Sequence, residues 1–141
     1  ISDPGVLLVS QVIEKFGDAV LVIPIPGPSA LVTALSAAGI SVAEFTFLGF
    51  LPHKKGRETL FKEIAASPRV MAFYESTHRI EKSLESLEKF CGNARHLVVA
   101  REITKIYEEF VRGTTTEVRA YFKGNPDKVR GEFVVIVNGK V

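Results

Sequence analysis

The chain has 141 residues, 46% of them hydrophobic and 24% charged, a balance that fits one soluble globular core. Eighteen Lys and Arg against sixteen Asp and Glu leave a formal net charge of +2, too small to mark nucleic-acid binding by total charge, so any basic surface has to be local. The single cysteine, Cys91, excludes a disulfide framework and a thiolate metal cluster and fits a reducing, cytoplasmic compartment.

In chain order, Asp3 caps an expected helix with Pro4 at its first position, and Leu8, Val9, Val12, Ile13 and Phe16 fall on one face before Gly17 stops it. Ala19 to Ile25 is apolar without alternation and reads as a strand covered on both faces, which implies a largely parallel interior. Pro26-Gly27-Pro28-Ser29 is a stiff turn, followed by a small-residue helix from Ala30 to Ala38 ending at Gly39. A strand at Phe45 to Phe50, a basic loop at Pro52 to Arg57, a helix from Glu58 to Ala66 and a strand at Arg69 to Tyr74 come next. Ile80, Leu84, Leu87 and Phe90 then define the apolar side of an amphipathic helix that ends at Gly92. His96 to Ala100 is a short strand, and Val111 to Gly113 ends another extended piece. Thr114 to Thr116 cap a helix through Phe122, Lys123 to Arg130 is a polar loop, and Phe133 to Val137 closes the chain as a strand. The expected architecture is α/β, with a boundary that divides residues 1–43 from 44–141. No apolar run approaches the ~20 residues that cross a bilayer, and no signal peptide opens the chain. Met71 is the only methionine, and the start at Ile1-Ser2-Asp3-Pro4-Gly5 reads as part of a longer protein.

No GxGxxG, Walker loop, HExxH, GxSxG or CxxC is present, and His53, His78 and His96 are scattered, so no metal site is expected. What remains is a set of polar clusters at strand ends. Tyr74-Glu75-Ser76-Thr77-His78-Arg79 is the densest; capping by Ser76 or Thr77 accounts for only part of it. Arg101 to Lys105 follows the strand ending at Ala100, and Gly131 before Phe133 permits close backbone approach to a ligand. The Pro26 to Ser29 turn stands where open α/β sheets bind ligands, although a strand-to-helix connection needs a stiff loop there in any case, and on its own that plainer reading is favoured. Lys54, Lys55, Arg57, Arg79, Arg101 and Lys105 are the cations available to hold a phosphate backbone if they share a face.

These strings, with Leu35-Ser36-Ala37-Ala38-Gly39, Gly49-Phe50-Leu51-Pro52, Ala100-Arg101-Glu102-Ile103-Thr104-Lys105 and Gly131-Glu132-Phe133-Val134, resemble in order the signature of the tetrapyrrole methylase superfamily. Tyr-Glu-Ser-Thr-His-Arg and Ala-Arg-Glu-x-Thr-Lys resemble its branch that methylates the 2′-hydroxyl of a cytidine in small-subunit ribosomal RNA. The resemblance implies a three-layer sandwich with a mixed sheet, comprising the family's C-terminal domain and a remnant of its N-terminal one. It implies a homodimer that folds S-adenosylmethionine into a cleft between the domains, so that this chain alone is inactive. Cofactor contacts carried over are Pro26, Ser29, Ala30, Leu48, Leu51, Tyr74, Ala100, Arg101, Gly131, Glu132 and Phe133. Glu75, His78 and Glu102 are the candidate proton acceptors. A corrin or uroporphyrin methylase is the nearest rival reading, and a noncatalytic dimerisation module the rival of another class.

Overall fold

A computed structural model of the chain describes residues 5–140; the expected cap Asp3 and Pro4 lie outside them. Helix α1 (Gly5–Phe16) forms as its periodicity predicts, yet none of its residues is buried. The strand expected from Ala19 to Ile25 is absent. After a short 3₁₀ turn at Gly17–Ala19, residues 20–29 carry no regular structure, and no strand pairs with them among the described residues. An apolar run becomes a strand only when its amides and carbonyls find a ladder partner.

Order begins at Ser29, whose hydroxyl accepts the Val32 N–H at 3.4 Å and caps α2 (Ala30–Ala37). Then come β1 (Phe45–Phe50), α3 (Arg57–Ala66), β2 (Val70–Ser76), α4 (Ile80–Cys91), β3 (His96–Arg101), β4 (Glu109–Thr114), α5 (Thr115–Gly124) and β5 (Glu132–Val137). The strands make one sheet in the order β1-β2-β5-β3-β4, in which only β1 and β2 run parallel. The interior is therefore mostly antiparallel, not parallel. The parallel interior was implied by the unalternating apolar run at Ala19 to Ile25, but that run joins no sheet, and helices cover both faces of β2, β3 and β5 whatever the strand direction.

On one face α3, α4 and α5 bury Met71, Phe73, Leu97, Val99, Phe133 and Val135; on the other α2 buries Ala72, Val98, Ala100, Val134 and Ile136. The result is the expected three-layer α/β sandwich with a mixed sheet. Leu31, Ala34, Leu35 and Ala38 belong to the second core, so α2 packs on the sheet although it precedes the expected boundary at residue 43.

Local signals also sort out at the helix starts. Thr114 and Glu117 form a reciprocal capping box at α5, with the Thr114 N–H donating to Glu117 at 2.8 Å. At α4 no side chain caps: the N-terminal position is Arg79, the Thr77 hydroxyl donates to the Gly131 carbonyl at 2.9 Å, and the Ser76 hydroxyl accepts from Arg79. Those two polar side chains join the β2–α4 turn to the lead-in of β5 and to Arg79.

Candidate active site

Because β1 and β2 are parallel and β5 lies antiparallel between β2 and β3, the carboxyl ends of β1, β2 and β3 and the amino end of β5 share one rim. The register puts Tyr74 and Ala100 on either side of Val134, and Glu75 and Arg101 on either side of Phe133. Along this rim, on the α2 side, lies a cleft of about 940 Å³, toward the large end of ligand sites.

Ser29, Ala30, Tyr74, Gly131, Glu132 and Phe133 line it, as do His78 and Lys105. Pro26 does not, though its neighbours Gly27 and Pro28 do. Leu48 and Leu51 are turned away into the opposite core, and Phe47 and Phe50 face the cleft in their place. Gly49 has φ of 65°, and the pairing with β2 shifts register between Phe47 and Phe50. That irregularity puts residues three apart on one face, where strict alternation would not. Ala100 is buried in the core beneath α2, and Arg101 points to the other face. Phe47 and Phe50 pack on Tyr74 with ring centroids 4.9 and 5.4 Å away, making an aromatic wall the sequence did not reveal.

The three candidate proton acceptors differ in setting. The His78 side chain is exposed at the cleft. Glu75 reaches the cleft lining, but its carboxylate has no solvent exposure: it accepts from the Ser76 amide at 2.9 Å and the Ser83 hydroxyl at 2.5 Å, and it pairs with Arg79 at 2.9 Å. Glu102 accepts from Lys105 Nζ and from the Glu132 amide, both at 2.9 Å. The Lys105 ammonium, then the Glu132 amide, hold its carboxyl below the usual carboxylate range. Hydrogen bonds to Glu132 and Glu102 push Lys105 up. Gly131 has φ of 89°, and a Cβ there would collide with the Glu102 carboxyl. The group that approaches Gly131 closely is thus Glu102.

Of the six cations named for phosphate contact, Lys54 and Lys55 are exposed on the loop after β1, and Lys105 is exposed at the cleft but paired with Glu102 and Glu132. Arg57 and Arg79 turn toward Glu75. Arg101 is buried, donating to the carbonyls of Arg130 at 3.0 Å and Tyr107 at 3.2 Å, and it clamps the 102–108 turn against the lead-in of β5. Among the described residues no three His, Cys, Asp or Glu side chains gather as metal ligands, and no helix is long and apolar enough to cross a membrane.

A cleft at the rim of a five-stranded mixed sheet, floored by aromatics and edged by glycine backbone, has the shape of a small-molecule site in an α/β protein, and the model of the Tetrapyrrole (Corrin/Porphyrin) Methylases matches residues 1–119. The chain belongs to the tetrapyrrole methylase family. Similar relatives include the Ribosomal RNA small subunit methyltransferase I of Haemophilus influenzae, 43% identical over 99% of this chain and 49% of that protein, and of Escherichia coli O157:H7, 44% identical over 99% and 48%. The chain therefore spans about half the length of these relatives. Among solved structures, the methyltransferase CobJ superposes with a TM-score of 0.67 at 22% identity, covering 97% of this chain and 61% of that one. The cobalt precorrin-4 methyltransferase CbiF gives 0.65 at 16%, covering 96% and 60%. At that identity the likeness concerns the fold.

Members of the family use S-adenosyl-L-methionine as methyl donor. The residues present fit such a molecule: Leu31, Phe47, Phe50, Tyr74 and Val134 offer an apolar wall for a flat ring, and Ser29, Thr77, Lys105 and Glu132 offer polar groups for its amino-acid end.

Proposed function

We propose that this chain provides one wall of the active site of an S-adenosylmethionine-dependent methyltransferase acting on the 2′-hydroxyl of a cytidine in small-subunit ribosomal RNA. The observation that carries this reading is the meeting of Ser29, Tyr74, His78 and Gly131 to Phe133 in one cleft, in a chain 43% identical over nearly its whole length to a ribosomal RNA methyltransferase. When bound, S-adenosylmethionine supplies an electrophilic methyl on its sulfonium. Ser29, Ala30, Tyr74 and Gly131 to Phe133 hold it, and the Phe47, Phe50 and Tyr74 rings keep water from the reacting centre.

His78 takes the hydroxyl proton: it is exposed at the cleft, whereas the Glu75 and Glu102 carboxylates are already engaged. Lys54 and Lys55 hold flanking phosphates by charge and leave base choice to other contacts, while Lys105 is paired with Glu102 and Glu132. Cytoplasmic location and a homodimer belong to the same reading; a clean monomer in light scattering at high concentration would remove the dimer. Because the chain spans about half of its relatives, it is expected to transfer no methyl alone.

The test is a chimera in which this chain replaces the matching half of the Escherichia coli O157:H7 relative. Given methyl-labelled cofactor and small ribosomal subunits, it is expected to label RNA, and nuclease digestion to return 2′-O-methylcytidine. His78→Gln is expected to lower kcat by about 10² to 10⁴ and to leave cofactor affinity unchanged. Label in an added tetrapyrrole and none in RNA would favour the macrocycle reading. Label in neither would favour a noncatalytic module.

A further inference from the structure

The cluster around Glu75 does more than fill a core. Glu75 sits on the α3–α4–α5 face of β2 with its side chain wholly buried, and four groups converge on it: the Ser76 amide, the Ser83 hydroxyl, Arg79 at 2.9 Å and Arg57 at 3.7 Å. Buried charge without partners is costly, so these partners are tied to it and it to them. Each arginine also donates outward. Arg57 donates to the Pro52 carbonyl at 3.2 Å, and Arg79 to the Leu51 carbonyl at 2.9 Å. Arg57 further donates to Ser83 at 2.7 Å and lies over the Phe61 ring at 5.0 Å. One carboxylate therefore holds, through two guanidiniums, the two carbonyls from which the Lys54–Lys55 loop departs. The same carboxylate accepts from the first amide of the turn that carries His78.

We infer that Glu75 is a positioning residue: it fixes the basic loop at residues 52–56 beside the His78 turn, so that a phosphate backbone held by Lys54 and Lys55 crosses the mouth of the cleft. The pin itself stands on the distances above; its consequence for RNA rests on the reading in the preceding section. Two apparent phosphate ligands, Arg57 and Arg79, thereby become internal struts, and the loop's own lysines become the contact.

Hydrogen exchange and RNA binding on the same chain separate the two parts. Glu75→Gln, and the milder Arg57→Lys, which keeps the charge and gives up the fork that spans Ser83 and Pro52, are compared with Val118→Ala, a cavity in the same core remote from the loop. Exchange of the Arg57 and Leu60 amides, bonded to the Lys54 and Gly56 carbonyls, is expected to rise roughly tenfold or more relative to the β3 and β5 amides in both pin variants. In Val118→Ala that ratio is expected to stay at the wild-type value. If the pin variants lose stability but keep the wild-type ratio, the inference is overturned.

With a short fluorescein-labelled oligocytidylate, Lys54→Ala/Lys55→Ala is expected to flatten the salt dependence of binding by about 0.7 in slope per lost phosphate contact. Glu75→Gln and Arg57→Lys are expected to weaken binding in the wild-type background and to add nothing in the double-lysine background. Full additivity would overturn the coupling between pin and loop. A wild-type chain that binds no oligocytidylate while its pin variants still loosen the loop would remove the RNA reading and leave the pin standing.

Discussion

Residues 30–137 and residues 5–29 both carry long apolar stretches, and they meet opposite fates. In the first region the apolar runs of β2, β3 and β5 lie between helices and are buried on both faces, apart from Tyr74 at the cleft. In the second, α1 has no buried residue, and Leu21 and Ile25 stand 83% and 86% exposed. Apolar pattern states what a segment requires, and neighbours decide whether the requirement is met. The candidate site follows the same division. Every residue that lines the cleft from the sheet belongs to the packed region, and only Ile25 and the Gly27 to Ser29 turn reach it from the other.

The largest effect that sharpens this contrast is Phe73→Ala in the centre of β2, expected to cost about 3–5 kcal/mol in urea unfolding, against Leu21→Ala, expected within about 0.5 kcal/mol of wild type. A large loss from Leu21→Ala would break the comparison, because it would mean the stretch is packed in solution. Gly131→Ala comes next, at about 1–3 kcal/mol, since it forces a left-handed residue against Glu102. A fall in stability accompanied by looser exchange in the 102–108 turn would locate the damage. Thr114→Ala removes the α5 capping box and is expected to cost about 1 kcal/mol by the same unfolding measurement.

The smallest effect is the pH dependence of the Lys105 staple. Glu102 is held low by the Lys105 hydrogen bond first, so its contribution is present above the ordinary value of about 4.3 and disappears as pH falls through the lower folded value. Lys105 is raised, so its contribution is present below about 10.4 and disappears as pH rises through the higher folded value. The gap in urea midpoint between wild type and Lys105→Met should therefore be widest and flat between these limits and close at both ends. A gap that does not change with pH would assign the staple no electrostatic part.

The packed region was largely legible in the sequence: the amphipathic α4, the Thr114 cap and the continuous apolar runs of β2, β3 and β5 each state a local preference that the fold satisfies. Strand direction was not legible, because burial on two faces reports the helices above and below and says nothing of the ladder. The stretch at Ala19 to Ile25 read as a strand for the same reason. Within the site, the polar string at Tyr74 lies along the cleft rim, and alternation alone assigns Glu75 to the face of Met71 and Phe73, the core face. Phe47 and Phe50 escaped notice because the irregularity at Gly49 breaks the two-residue period on which such a reading depends.

Crystallising the chimera with S-adenosylhomocysteine, the demethylated form of the donor, asks directly whether the rim cleft is the cofactor site. The expected result is ligand against Tyr74 and the Gly131 to Phe133 backbone, with the Ser29 turn closing over it and the His78 imidazole at the open side. Ligand bound elsewhere on the chain, with Tyr74 and Gly131 untouched, would contradict it.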